Sequence, residues 1–257
     1  MKNLIYFVGA GPGAADLITV RGARLLAAAE VVVYAGSLVD FELVRTHAPH
    51  AEVHDSAEMT LAETTALLAA AVAAGKQVVR LHTGDPSLYG AIQEQMLELD
   101  RLGIGYEVVP GVTSAFAAAA ALKQELTLPE VSQTVIVTRL AGRTPVPERE
   151  QLHRIAQIGA TLVIYLSVGM IEGVVGELLQ GAYVADTPAV VVAKASWPDE
   201  QVVEGTLADI SAKVLTAGID RQAVIFVGDV LKARREGLAA VSKLYDGTFA
   251  HGYRGGP

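Results

Sequence analysis

Four short loops of this 257-residue chain combine small residues with groups able to hold a ligand. They are Gly9-Ala10-Gly11-Pro12-Gly13-Ala14, Tyr34-Ala35-Gly36-Ser37-Leu38-Val39, Leu81-His82-Thr83-Gly84-Asp85-Pro86-Ser87-Leu88-Tyr89-Gly90 and Val109-Pro110-Gly111-Val112-Thr113-Ser114. Each follows an apolar run that reads as a buried strand. In the third, Gly84 frees the backbone and Pro86 lacks an amide hydrogen, so the strand cannot extend and the chain turns. Open α/β sheets take their ligands at the carboxyl ends of their strands. No lysine or arginine stands in any of the four loops. Such a wall suits a neutral, nucleoside-like ligand better than a polyphosphate. Thr113 and Ser114 also read as helix caps, which is compatible with ligand contact by the same backbone.

The first loop alone matches the dinucleotide pattern G-x-G-x-x-A. A dinucleotide site also wants an acid at the tip of the second strand, for the ribose. That tip is Tyr34-Ala35-Gly36-Ser37, with no acid. Pro12 removes an amide that a pyrophosphate would need. No Gly-Lys-Ser/Thr follows, so the loop is not a Walker A loop either.

The elements that must position these loops alternate. Strands are predicted at Leu4–Val8, Glu30–Tyr34, Ala51–His54, Gln77–Leu81 and Tyr106–Val109. Helical patterns lie between them, near Val20–Ala29, Phe41–Ala48, Leu61–Ala74 and Ala91–Leu102, with Gly75 and Gly103 at helix ends. This alternation predicts a mostly parallel sheet covered by helices. After a helix-like Ser114–Glu125 the second half has strands at Thr134–Thr138, Thr161–Leu166, Ala189–Ala193, Gln201–Glu204 and Ala223–Val227. Helices fit near Met170–Gln180 and Leu207–Leu215, and Ala141 to Glu150 reads as an exposed loop. The short Lys194–Gln201 spacing, with Trp197-Pro198-Asp199, reads as a hairpin turn and makes the second sheet mixed. Two domains follow, 1–125 and 126–257, with a Gly-rich, mobile tail from Asp246 to Pro257.

Composition narrows the classes. The chain is 51% hydrophobic, enough for genuine cores. It has no cysteine, which excludes disulfides, thiolate nucleophiles and Cys-based metal sites. Its formal charge of −8 argues against a nucleic-acid binder but not against an anionic small substrate met by local cations. Ala-rich stretches such as Ala115–Leu122 fall well short of the ~20 apolar residues of a membrane span. His47, His50 and His54 do not form a metal spacing, and no protein metal site is expected. A soluble, cytoplasmic protein is expected.

The motifs Val8-Gly9-Ala10-Gly11-Pro12-Gly13 with Leu17-Ile18-Thr19, then Gly84-Asp85-Pro86, then Val109-Pro110-Gly111-Val112-Thr113-Ser114 recur in a family-like order and spacing, within a resemblance that covers nearly the whole chain. With them the chain resembles the tetrapyrrole (corrin and porphyrin) methyltransferases, which use S-adenosylmethionine. Tyr34–Val39, Leu81–Gly90 and Ala141-Gly142-Arg143-Thr144-Pro145-Val146-Pro147-Glu148 resemble the branch that methylates precorrin-4 or cobalt-precorrin-4 at C-11 on the way to cobalamin. Another precorrin or uroporphyrinogen III is the alternative acceptor. A nucleotide-binding or scaffolding protein with a degenerate site is the alternative of another class. One departure stands out: where the family has Gly-Pro-Gly-Asp-Pro, Gly13 is followed by Ala14-Ala15-Asp16.

The resemblance implies a two-lobed α/β homodimer with the donor in a cleft between lobes. It implies donor contacts at Pro12, Thr83, Gly84, Asp85, Leu88, Thr113 and Ser114, and from the second lobe at Leu166 and Ala195. From residue type alone the two leucines read first as core packing. Methyl transfer from a sulfonium to an electron-rich macrocycle needs alignment and exclusion of water rather than an acid–base dyad. Asp85, His82 and Tyr89 are therefore positioning candidates, and Asp85 could hold the donor, the substrate or only its own turn. Ser37, Arg139 and Arg143 are candidates for the carboxylate-bearing substrate, with Lys123 and Lys194 behind them.

Overall fold

The structure, a computed structural model, describes residues 4–238, 240–245 and 247–254. The chain divides into two compact units, Met1–Ala117 with Lys194–Asp199, and Ala118–Ala193 with Glu200–Pro257.

The first unit is built on five parallel strands. They are β1 (Leu4–Gly9), β2 (Val31–Tyr34), β3 (Glu52–Asp55), β4 (Val78–His82) and β5 (Gly105–Val109), in the order β3-β2-β4-β1-β5. Four helices cover it: α1 (Val20–Ala27), α2 (Phe41–His47), α3 (Leu61–Ala73) and α4 (Ile92–Arg101). Val8, Val32, Val79 and Leu81 face one side and pack with Leu26 of α1 and Leu43 and Val44 of α2. Ile5, Phe7, Val33 and Val78 face the other side and pack with Leu68 of α3 and Leu99 of α4. Right-handed crossovers explain the split. The chain runs outward from β1 to β3 with helices on one face, then returns with helices on the other. Local signals hold the helix ends: Thr60 and Glu63 form a reciprocal capping box at α3, and Thr19 accepts from the Gly22 amide at the start of α1.

Helix α5 (Ser114–Ala121) follows β5, and the division between the units falls within it, upstream of the boundary expected near 125. The second unit holds β6 (Val135–Arg139), β7 (Thr161–Tyr165), β8 (Pro188–Ala193), β9 (Gln201–Thr206) and β10 (Ala223–Val227), in the order β6-β7-β10-β8-β9. β6 and β7 are parallel and the other pairs antiparallel, the mixed sheet that the hairpin spacing predicts. Its core joins Leu162, Ile164, Val191 and Ile225 to Val174 and Leu178 of α7 (Ile171–Leu178) and to Ile210 and Val214 of α8 (Ile210–Thr216). Two one-turn helices, α6 (Leu152–Ile155) and α9 (Ala233–Glu236), are too short for periodicity to have revealed them. Of the expected tail, Asp246 and residues 255–257 lie outside the described residues. Within it, His251 and Arg254 exchange backbone hydrogen bonds of 2.9 Å. Among the described residues, no helix is long and apolar enough to cross a membrane.

The loops after β1, β4 and β5 touch backbone to backbone. A Cβ on Gly9 would lie 2.6 Å from both Gly111 Cα and the Gly84 carbonyl oxygen, and a Cβ on Gly111 would overlap that same oxygen. Gly111→Ala should therefore destabilise the protein by about 2 kcal/mol or more. Gly176→Ala, inside α7 with nothing within 4 Å of the added methyl, should stabilise it by about 0.5–1 kcal/mol. Denaturant midpoints of the two variants moving in the same direction would contradict this picture of the crossing.

Candidate functional site

Parallel register brings three of the four loops side by side. Gly9 is paired with His82 and Val8 with Val109, so the segments after β1, β4 and β5 leave the sheet at one edge. The Ala10 amide donates to the His82 carbonyl at 2.7 Å, and the Gly84 amide donates to the Gly11 carbonyl at 2.8 Å. The fourth loop follows β2, whose Tyr34 is paired with Leu81 of β4. Its Ser37 is exposed, and the Gly36 amide beside it donates to Asp55 Oδ1 at 2.8 Å.

Asp85 bridges two of these loops. Its Oδ1 accepts from the Ser87 amide at 2.8 Å, which closes its own turn. Its Oδ2 accepts from the Gly111 amide at 2.9 Å, across to the loop after β5. A carboxylate suits this place because it accepts at both oxygens, as a neutral amide cannot. Thr83, half-buried, stands just ahead of this brace, and Leu88 is half-buried just after it. Thr113 and Ser114 follow Gly111 at the start of α5, also half-buried.

The first loop is tied to Lys194–Asp199, the connection between β8 and β9. Trp197 Nε1 donates to the Pro12 carbonyl at 2.9 Å, and the Ala14 amide donates to Ser196 Oγ at 3.0 Å. These bonds explain why this connection, with the buried Ala195, belongs to the first unit and not to the second lobe where sequence reasoning put Ala195. The connection is the expected hairpin turn, but its indole and hydroxyl were not singled out. The signal available was that Trp197 is the chain's single tryptophan. Ala14 contributes its backbone amide where the family's usual acid is missing, and Asp16 is exposed in the short turn that follows. Lys194 is paired with Asp199.

His82 ends β4 and is buried, its ring 5.9 Å from that of Phe7. Among the described residues its Nε2 has no hydrogen-bond partner. Burial, aided by the nearby Arg80 charge, pushes its pKa down to about 3, so the ring is neutral at physiological pH. Tyr89 lies on the same loop, half out in solvent, at a backbone φ of 56°. Ala91, Lys194 and Ser196 are also left-handed, at 48°, 50° and 69°. Such strain in residues other than glycine gathers where function holds the backbone in place.

The second unit carries three expected site residues. Leu166, directly after β7, has a φ of 54° and is 63% exposed, so it is not a core leucine. Arg139, at the end of β6, donates through Nη1 to the Thr144 carbonyl at 3.1 Å and through Nη2 to the Pro145 carbonyl at 2.6 Å. Its fork thus holds the Ala141–Glu150 loop in shape. Arg143, at the tip of that loop, is exposed and has no partner among the described residues. Of the clustered histidines, His47 Nε2 lies 2.9 Å from the Ala15 carbonyl, and His54 pairs with Glu52.

The first unit's loops fit a donor without phosphates. They hold no cation, they are fixed by backbone bonds, and they offer a half-buried hydroxyl at Thr83 beside an apolar Leu88. The neutral state of His82 has its own consequence. Unfolded, this histidine takes up a proton near its ordinary 6.5; folded, it does so near 3. It contributes stability, on the order of a few kcal/mol, that is present above pH 6.5 and lost as pH falls from there towards 3. His82→Phe should flatten the fall in denaturant midpoint between pH 7 and 4. Parallel falls in the variant and the wild type would show that other groups carry it.

The chain is similar to known proteins along most of its length. The family described as Tetrapyrrole (Corrin/Porphyrin) Methylases matches residues 4–211. A cobalt-precorrin-4 C(11)-methyltransferase of Methanocaldococcus jannaschii is 52% identical over 250 residues, 97% of this chain and 95% of that protein. The X-ray structure of a cobalamin biosynthetic enzyme, a cobalt precorrin-4 methyltransferase, superposes with a TM-score of 0.87 at 49% identity, covering 89% of this chain and 96% of that one. The uroporphyrin-III C-methyltransferase of Thermus thermophilus, solved with S-adenosyl homocysteine, matches with a TM-score of 0.75 at 30% identity over 90% of this chain and 99% of that one. Two five-stranded sheets, glycine-crossed strand ends and a family match over most of the length lead to one conclusion: the chain belongs to the tetrapyrrole (corrin/porphyrin) methylases.

Proposed function

We propose that this protein transfers a methyl group from S-adenosylmethionine to C-11 of precorrin-4 or cobalt-precorrin-4, in building the corrin ring of cobalamin. The observation that carries the reading is the near-full-length likeness to the Methanocaldococcus enzyme of that specificity. The loops after β1, β2, β4 and β5, intact apart from Ala14, support it. By the same resemblance the enzyme is a cytoplasmic homodimer that acts on a small molecule, without nucleic acid or membrane.

When bound, S-adenosylmethionine supplies a methyl group already activated on a sulfonium. The protein's part is to bind, orient and exclude water. Pro12, Thr83, Gly84, Leu88, Thr113, Ser114 and Ala195 form the donor wall, supplying backbone groups, a hydroxyl and apolar surface. Asp85 holds two segments of that wall at a fixed spacing. A neutral His82 adds no charge beside it. Ser37 and Tyr89, both exposed beside the same strand ends, face the substrate in this reading. An electron-rich ring carbon attacks the activated methyl without needing a general base.

Calorimetry should detect S-adenosylhomocysteine binding and no response to NAD. Incubation with donor should add the mass of one methyl to precorrin-4 and none to uroporphyrinogen III. Methylation of uroporphyrinogen III instead would move the protein to another branch of its family. Asp85→Asn leaves one of two amides facing an NH₂ group, and should weaken S-adenosylhomocysteine about tenfold or more. Unchanged affinity in that variant would remove the brace from the donor site.

A further inference from the structure

Strand β4 carries a second polar group that the donor wall does not use. Arg80 is 7% exposed, and its side chain enters the face of the sheet covered by α3 and α4. Its Nε donates to Gln95 Oε1 at 3.0 Å and its Nη1 to the Val33 carbonyl at 3.2 Å. Among the described residues Nη2 makes no hydrogen bond, and no carboxylate forms an ion pair with this guanidinium. The nearby Asp55 accepts instead from the Gly36 and Ala57 amides. Burial pushes Arg80 down to about 10, against the pull of Asp55, so it remains a cation at neutral pH. A buried cation without a carboxylate is costly, and proteins rarely keep one without use.

Arg80 lines a pocket of about 270 Å³, together with Ser56, Thr64, Ala91, Glu94 and Gln95. At roughly 30 Å³ per water, this holds a short carboxyalkyl arm. Neither Arg80 Nη2 nor Thr64 Oγ1 is a sealed, unsatisfied atom, so both open towards this space. Thr64 is itself 4% exposed. Helix α4 begins just after Ala91 with no side-chain cap hydrogen bond among the described residues, so its first-turn amides add positive potential at the same pocket. Glu94 is the one acid in the lining and is solvent-exposed. The pocket lies two residues before His82 on β4 and is joined to the Gly84-Asp85-Pro86 turn by the strained Tyr89–Ala91 segment.

We propose that the Arg80 pocket is a carboxylate site that takes one acetate or propionate arm of the tetrapyrrole. This rests on the tetrapyrrole reading above and names the anchor it lacks. A planar guanidinium with a free Nη2, backed by a hydroxyl, offers two donors to a carboxylate's two oxygens. One arm held on β4 fixes the rotation of the macrocycle about its normal, which a flat ring against an apolar wall leaves open.

Uroporphyrin III, a stable tetrapyrrole with acetate and propionate arms, is the probe. Its fluorescence titration against wild type, Arg80→Gln, Arg80→Lys and Thr64→Val tests the site, with S-adenosylhomocysteine calorimetry as the check on folding. The expected result is about a tenfold loss for Arg80→Gln, a smaller loss for Arg80→Lys and Thr64→Val, and unchanged S-adenosylhomocysteine affinity. Sodium acetate should compete with the probe on wild type and not on Arg80→Gln. Equal probe affinity in variants that still bind S-adenosylhomocysteine overturns the proposal. Acetate that shifts the Arg80 Nε resonance of wild type without displacing the probe overturns it too, since the pocket then takes free anions rather than the macrocycle. If Arg80→Gln does not fold, Thr64→Val and the wild-type resonance decide. A wild type that shows the Arg80 effects yet leaves precorrin-4 unmethylated refutes the C-11 reading and not the carboxylate site.

Discussion

The first unit depends on three strand ends passing each other at backbone contact. Parallel neighbours carry their loops to one edge of the sheet, and ordinary side chains would hold those loops apart. Gly9 and Gly111 have no Cβ to clash and Gly84 takes a left-handed φ of 58°, so the turn after β4 sits directly against the turns after β1 and β5. Everything chemically interesting in this unit is then fixed by short backbone bonds. The Gly11–Gly84 exchange joins two loops, and Asp85 joins the third. A wall built this way holds no lysine or arginine and is stiff. It suits a ligand recognised by shape and a few polar atoms, and it gives a polyphosphate little to hold.

Most of this was legible in residue types. Period and punctuation locate the strands and longer helices, because Val- and Ile-rich runs between glycines can hardly be anything but buried parallel strands. The mixed second sheet followed from one short connection, Lys194 to Gln201, too brief for a crossover. The roles of long side chains were not legible. Arg139 carries a charge suited to substrate, yet its guanidinium closes on the carbonyls of its own loop. Ala195 was placed by chain position, yet Trp197 and Ser196 bind its segment to the first loop. Both are long-range hydrogen-bond choices, and no local pattern encodes them. The left-handed backbone of Leu166 is likewise invisible in a residue type that rarely adopts it.

Asp85 shows what a motif residue can do for the loops themselves. Its two oxygens accept from two amides of different loops, so its contribution is geometric. The missing acid after Gly13 is the complementary case. There the tie to the neighbouring segment runs through the Ala14 amide and Ser196 Oγ, so the loop keeps an anchor without a side-chain acid of its own.

Strand β4 joins these observations. A central parallel strand is covered on both faces and is ordinarily apolar throughout. This one reads Val78-Val79-Arg80-Leu81-His82 and is buried along its whole length. Its alternation puts Val79 and Leu81 into one core, while Arg80 and His82 take the opposite face after Val78. Two basic side chains on one buried face repel each other's charge, and the structure resolves this by keeping His82 neutral and Arg80 charged. Nothing in folding alone favours that pair over two aliphatic residues, which would bury without cost. In the carboxylate-site reading proposed above, Arg80 lines the pocket while the neutral His82 ring stands beside the turn where the glycine-crossed loops emerge.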